Sequence, residues 1–284
     1  IVKKIMNLHF TKYRISTITS NAKLFIKDIE DFKVNLIELF NNITINCDDL
    51  CESFVYTSRF ENKDSINKIV RGNYAKKKRT VQHKRTFDNQ ISFVYKVRPN
   101  YYVNVKVFQN GSLHITGSRT IEDINIPLKE LVNEIKTNKI NVFETIDNLE
   151  YGNIQILMIN TDFKIFKDIE HTSNFSIKRR TLHTILINDY NMIARFDPST
   201  YPGVKIEYWW NDKNNFRDAS VHYDIRNVKS KSNVKDGVKK ITIAVFESGS
   251  ILITGAITIS QVDETYNFTC NIIEKNKDSI HFNI

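Results

Sequence analysis

Two phenylalanines carry the sharpest chemical signal in this chain. Phe108 and Phe246 each stand just before a Gly-containing turn, in VFQNGSLHITG and VFESGSILITG. A threonine follows each one on the returning segment, Thr116 and Thr254. An aromatic ring at a hairpin tip can wedge between stacked flat groups, and a nearby hydroxyl can bond to their edges. A second signal is the basic run KKKRTVQHKR, from Lys76 to Arg85. It suits phosphate, a solvated loop or a localisation signal. His171 and His183, with Asp168 and Glu170, suggest acid–base chemistry, but a surface histidine explains them as well. Tyr208-Trp209-Trp210 would stack on bases or close a core at a strand end. The sequence carries no Gly-rich phosphate loop, metal constellation or nucleophile motif. Neither a cofactor nor an enzymatic reaction is expected.

Composition narrows the setting. The 284 residues allow one large domain or two ordinary ones. Hydrophobic content of 41% against 26% charged is that of a globular chain with a sizeable core. Lys and Arg number 41 against 32 acidic residues, a net charge of +9 that favours polyanionic partners. An AT-rich coding sequence, rich in Asn, Ile and Lys codons, accounts for that surplus equally well. The three cysteines, Cys47, Cys51 and Cys270, form neither a disulfide framework nor a zinc set, so a reducing, intracellular compartment is expected. No apolar run approaches a membrane span, and the start IVKKIMNLHF lacks the core of a signal peptide. The absence of an initiator Met suggests a trimmed or incomplete N-terminus.

The elements that position the two phenylalanines come in duplicate. Residues 103–120 and 241–258 align without gaps, sharing Phe108/Phe246, Gly111/Gly249, Ser112/Ser250, Thr116/Thr254, Gly117/Gly255 and Thr120/Thr258. The constant offset is nearly half the chain, which reads as a duplicated unit. Periodicity predicts strands over 9–24, 90–98, 102–108 and 113–117, and helices over 28–42 and 121–138. The second half repeats that order. A strand is expected over 153–166, a helix over 176–189, and strands within 191–210 broken at Tyr201-Pro202-Gly203. A hairpin over 241–246 and 251–255 follows, then a helix with Ser260 as N-cap. The fold class is therefore α+β with antiparallel strands in two pseudo-symmetric repeats.

Strand parity assigns the faces. Val103, Val105, Val107, Leu113 and Ile115 share one face, as do Ile241, Ile243, Val245, Ile251 and Ile253. These must pack under the helices. The opposite face carries Asn104, Lys106, Phe108, His114 and Thr116 in one copy, and Thr242, Ala244, Phe246, Leu252 and Thr254 in the other. Each repeat has helices for one side only, so this face is expected to be open. Paired aromatic wedges, threonines and a basic margin suit the DNA minor groove. The plainer reading packs each Phe tip against a neighbouring loop.

At this point the residues resemble the TATA-box-binding protein family, in a divergent form like those of large nucleocytoplasmic DNA viruses. VFQNGSLHITG and VFESGSILITG match the family's strand, Phe, Gly, strand, Thr-Gly motif. RFDPSTYPGVKIEYW resembles its acidic-Pro…aromatic-Pro-Gly strand, and RISTIT resembles its first strand. The resemblance implies a saddle, a curved sheet with helices on its convex face. Its repeats would span 9–138, with an insertion at 43–85, and 152–276, with an insertion at 211–236. It also implies double-stranded DNA as partner, gripped and kinked through the minor groove by a monomer. An initiation factor of the B type and RNA polymerase would be recruited, in the host cytoplasm or nucleus.

The resemblance carries roles to individual residues. Phe108 and Phe246 match one intercalating Phe of each repeat. Tyr201 stands for the second repeat's partner aromatic, and Phe87 is the nearest candidate in the first. Thr116 and Thr254 match the threonines that touch base edges. Lys106, His114, Ala244 and Leu252 fall on apolar underside positions, and Ile15 and Thr17 line the same face. The family's central Asn of each first strand aligns with Tyr13 and Ile156, or with Asn160 or Asn153 if the register slips. Losing that pair and gaining cations would relax sequence readout. Two alternatives remain open: a base-excision glycosylase on the same fold, which needs a base pocket and a placed carboxylate, and an interaction module that has lost DNA binding.

Overall fold

The computed structural model describes residues 8–30, 32–45, 54–61, 69–72, 90–211 and 238–282. In chain order the elements begin β1 (His9–Phe10), β2 (Arg14–Ile26), α1 (Leu36–Asn42), β3 (Phe54–Glu61) and β4 (Ile69–Gly72). They continue with β5 (Gln90–Arg98), β6 (Tyr101–Phe108), β7 (Ser112–Ser118), α2 (Glu122–Thr137) and β8 (Leu149–Phe166). The remainder are α3 (Arg179–Asn188), β9 (Ala194–Arg195), β10 (Val204–Asn211), β11 (Val238–Val245), β12 (Ser250–Ala256) and α4 (Ile259–Ile280). The architecture is α+β and the recorded strand pairings are antiparallel. No helix among the described residues is long and apolar enough to cross a membrane.

The chain divides into two compact units. One is Thr17–Leu157; the other joins Ile1–Ser16 to Met158–Ile284. In the Thr17–Leu157 unit, hereafter the first unit, the strand order is β4-β3-β5-β6-β7-β2. In the second it is β9-β10-β11-β12-β8, with β1 also pairing β8. The inner four strands correspond one to one. The difference lies at the edge: β3 and β4, from within the expected insertion at 43–85, extend the first unit beyond β5, whereas among the described residues only the short β9 lies beyond β10.

Both units build their cores by the same alternation. Val103, Val105, Val107, Ile115, Ile241, Ile243, Val245, Ile251 and Ile253 are fully buried, and Leu113 nearly so. Packed above them are α1 and α2 in the first unit and α3 and α4 in the second. Leu39, Ile43, Leu128, Leu131 and Ile135 cover one sheet; Leu182, Leu186, Val262 and Ile273 cover the other. Each fully buried aliphatic side chain contributes about 2 kcal/mol.

A repeated backbone device fixes the hairpin tips. Gly111 and Gly249 have φ of 78° and 77°, which favours glycine. A Cβ at Gly111 would lie 2.6 Å from the Leu24 carbonyl oxygen; at Gly249 it would lie 2.6 Å from that of Phe175. Their own carbonyls accept from Leu24 N (2.8 Å) and Ile165 N (3.0 Å). A strap then crosses each tip. Val34 N donates to Gln109 O (2.7 Å), and Ile177 N donates to Glu247 O (2.8 Å).

That strap corrects the helix expected over 28–42. Residues 32–36 alternate buried and exposed, the period of extended chain, and the helix is only Leu36–Asn42. Asp28 turns the chain at φ 67°, and Asn35 caps the short helix by accepting from Glu38 N. The cap of the final helix is also corrected. Thr258, not Ser260, accepts from Gln261 N (3.2 Å), and Gln261 Oε1 accepts from Ile257 N (2.8 Å). In the first unit Thr120 accepts from Asp123 N (3.1 Å), while Asp123 accepts from Thr120 N (3.0 Å) and Arg119 N (2.8 Å). The repeated Thr120/Thr258 thus anchors the helix start in both units, as a reciprocal capping box with Asp123 in the first and, in the second, with Gln261 reaching back one residue further to Ile257 N.

Candidate nucleic-acid interface

The face of each sheet opposite its helices carries the side chains singled out by parity. Cross-strand pairing sets them in rows. In the first unit Thr19, Thr116 and Asn104 form one row, and Asn21, His114, Lys106 and Ser92 the next. Lys23 pairs with Ser112, and Phe108 with Gln90. In the second unit Asn160, Thr254 and Thr242 form one row, and Asp162, Leu252, Ala244 and Lys205 the next. Lys164 pairs with Ser250. Phe108 and Phe246 are both half-buried, as are Thr116 and Thr254. Four positions therefore keep their chemistry across the units: the Phe, the Thr, the Ser, and a lysine beside that Ser, Lys23 or Lys164.

Glycine bulges lock these rows. Register shifts in β7 at Gly117 and in β12 between Thr254 and Ala256, where Gly117 and Gly255 have φ of 94° and 100°. The extra residue keeps Thr116 and Thr254 facing away from the helices.

Tyr201 stands 5.7 Å from Phe246, centroid to centroid, tilted by 56°. Gly203 makes room for both rings, since a Cβ there would lie 2.9 Å from Tyr201 and 3.2 Å from Phe246. Lys205 Nζ sits over the Tyr201 ring at 4.0 Å. Arg179 binds the Pro202 carbonyl and the Glu247 carboxylate, bracing the same tip. Phe87 lies outside the described residues, as do the basic run 76–85, Cys47, Cys51 and most of the insertion at 211–236. Alternation along β2 puts Ile15 and Thr17, both half-buried, on the same side of that strand as Thr19 and Asn21.

The two middle rows differ. In the second unit Leu252 pairs with Ala244, an apolar patch. In the first, His114 pairs with Lys106, and His114 Nδ1 lies 2.8 Å from Asn21 Oδ1. Burial, then the Lys106 charge, pushes the His114 pKa down, which favours the neutral ring. A cavity of about 400 Å³ opens among Asn21, Gln90, Lys106, Phe108, Ser112 and His114. Gln90 is 2% exposed, and its Oε1 has no hydrogen-bond partner among the described residues. Sequence reasoning missed Asn21 and Gln90, because register decides which residues stand beside His114 and Phe108.

Other expectations are sorted by geometry. Tyr13 is not in the central row. It precedes β2 and donates to Asp263 on α4 (2.6 Å), and burial and that carboxylate push its phenol up to about 12. The residues that face the two threonines are Thr19 and Asn160. Of Tyr208-Trp209-Trp210, Tyr208 packs on Phe268 of α4 and Trp210 donates to Glu264 of α4. Trp209 instead takes the open face, with Lys240 Nζ 5.9 Å from its ring. His171 stacks on Phe166 at 4.6 Å, whereas His183 contacts Ala194 O and Phe196. Asp168 caps a turn by accepting from Thr172 N and Ser173 N, which lowers its pKa. No cluster able to hold a metal occurs among the described residues.

No family model matches the chain. A curated protein of Acanthamoeba polyphaga mimivirus, described as TATA-box-binding protein-like, is 28% identical over 287 aligned positions, covering 96% of this chain and 67% of that protein. A solved structure titled Methanococcus jannaschii TBP aligns over 93% of this chain and 99% of its own, at TM-score 0.49 and 14% identity. Across almost its whole length, then, this chain resembles a viral TATA-box-binding protein-like protein, at the divergence that 28% identity implies.

Proposed function

We propose that this chain is a non-enzymatic, DNA-binding transcription initiation factor that holds duplex DNA through the minor groove. The carrying observation is that four positions on the open faces keep their residue type in both units: Phe108 and Phe246, Thr116 and Thr254, Ser112 and Ser250, Lys23 and Lys164. Burial does not explain it, because the cores lie on the opposite faces. In this reading the two phenyl rings part base steps, Tyr201 backs the second ring, and the threonines meet base edges. Phe87, outside the described residues, is the first repeat's candidate second aromatic, and Ile15, Thr17, Ala244 and Leu252 give apolar contact. Lysines hold phosphates, in keeping with a net charge of +9. The repeats at 9–138 and 152–276 each serve one half of the site. A B-type initiation factor and RNA polymerase are the recruited partners, inside the host cell, in cytoplasm or nucleus. The description of the mimivirus relative supports the same reading.

Gel shift and bending measurements with Phe108→Ala plus Phe246→Ala test it. Removing both rings is expected to weaken duplex binding by at least about tenfold and to reduce the bend. Unchanged affinity and bend would remove the wedge role. Release of a free base from any duplex would point to a glycosylase instead.

A further inference from the structure

The open face of the first unit has a pocket whose polar groups need donors from a ligand. Asn21 Oδ1 accepts, so the neighbouring His114 Nδ1 carries the proton of the neutral ring. His114 Nε2 is then an acceptor. Gln90 Oε1 is a second acceptor, buried and without a partner among the described residues. An unmatched buried acceptor is costly, and a phosphodiester of the DNA backbone, which carries only acceptors at neutral pH, does not relieve it. A ligand N–H does. In the minor groove A·T pairs present acceptors only, whereas G·C adds the guanine 2-amino donor. At the corresponding places the second unit has Leu252 and Gly203, which accept nothing through their side chains.

We propose that the first unit receives a G·C pair in the minor groove, its guanine 2-amino group donating into the His114–Gln90 pocket, while the second unit favours A·T. This deepens the proposed function and rests on it. The cavity of about 400 Å³ gives the amino group room. Lys106, on the pocket wall, can donate to the acceptors that flank the amino group on the minor-groove edge, guanine N3 and cytosine O2. In the matching row of the second unit Leu252 and Ala244 accept nothing and the Asp162 carboxylate beside them is held by Arg14 (2.7 Å), so the amino group would be desolvated there without the two acceptors of the pocket, which disfavours G·C.

The test is a panel of duplexes with one G·C pair walked through an A·T site, each paired with an inosine·C version. Inosine lacks only the 2-amino group, so its minor-groove edge matches that of A·T. Guanine is expected to bind about tenfold tighter than inosine at positions confined to one half of the site. His114→Leu should erase that preference, and Leu252→His should create one in the other half. Each substitution copies the residue that the sister unit already holds, which guards against simple misfolding. Equal affinity for guanine and inosine at every position, or a preference for inosine throughout, overturns the inference while leaving DNA binding intact. Failure to bind any duplex removes the proposed function and this inference with it.

Discussion

The β6–β7 and β11–β12 hairpins share a backbone and differ in what they show. Both place five apolar side chains against helices, both turn at a left-handed glycine, and both carry a bulge glycine and a capping threonine. On the open side only some positions agree. The agreement covers Phe, Thr, Ser and the lysine beside it; the disagreement is His114 with Lys106 against Leu252 with Ala244. Folding requirements explain the shared glycines and caps, because those groups close the backbone. They do not explain an exposed-side Phe and Thr kept in both units. The varied row, which no fold requirement fixes, is where the two units can acquire different preferences.

The largest expected effects test the shared scaffold. Gly249→Ala should cost about 3 kcal/mol, because a Cβ at φ 77° would strike two backbone carbonyls, those of Phe175 and Ile165. Gly111→Ala should cost somewhat less, about 2 kcal/mol, since beyond the Leu24 carbonyl its neighbour is the Phe32 ring, which can move. Urea denaturation of the two variants reads the difference. Losses below about 0.5 kcal/mol for both would contradict the tip geometry.

The two helix starts should also separate. Asp123 is fully buried and accepts from Arg98 (2.6 and 3.2 Å) as well as from two backbone amides. Gln261 holds the corresponding place without a charge, accepting from Ile257 N while its own N–H donates to Thr258. Asp123→Ala should cost about 2 kcal/mol, a figure moderated because the Arg98 side chain is 46% exposed. Gln261→Ala should cost about 1 kcal/mol. Equal losses in thermal or urea unfolding would show that the buried charge adds nothing.

On DNA, the single phenylalanines should not be equivalent. Phe246 is backed by Tyr201 and by the Arg179–Pro202–Glu247 contacts, so its ring is held before binding. Phe246→Ala should weaken duplex binding about tenfold and Phe108→Ala about threefold. The reverse order in a competition titration would place the dominant wedge in the first unit.

These contrasts also show what was legible in the sequence. The hairpins were, because an aromatic–Gly tip between period-two strands encodes turn, faces and offset locally. The strap at 32–36 was not. Its Phe32, Val34 and Leu36 belong to an extended run, yet Ile29, Phe32, Leu36 and Phe40 also fit helical spacing. The choice is made by hydrogen bonds to Gln109 and Val142, far along the chain. The site divides the same way. Phe108, Phe246 and the threonines follow from parity within one strand. Asn21 beside His114, Gln90 beside Phe108 and Asn160 beside Thr254 follow from register between strands distant in sequence, which no local pattern reports. The strands β3 and β4 arise in a stretch that reads as an aperiodic insertion.

The smallest expected effect concerns pH and separates the two middle rows directly. The His114 pKa is held below its ordinary 6.5, first by burial and then by Lys106. A lowered pKa means that the unfolded chain binds more protons than the folded one as acidity rises. Stability from this group is therefore fully present above about pH 6.5 and falls as pH drops through the lowered folded value. His114→Leu removes the term, and Leu252 at the matching place in the second unit never had it. The stability difference between wild type and His114→Leu should stay constant from pH 8 to about 6.5. Below that it should shift in favour of the variant. The shift is small, since the ring is half-buried and water screens its charge. A difference that stays flat through pH 5, or that moves in favour of wild type, would mean that His114 protonates in the folded state at least as readily as in the open chain. With the ordinary value of 6.5 restored, the neutral ring with its Nε2 offered as an acceptor would predominate on the first unit's face only above that pH.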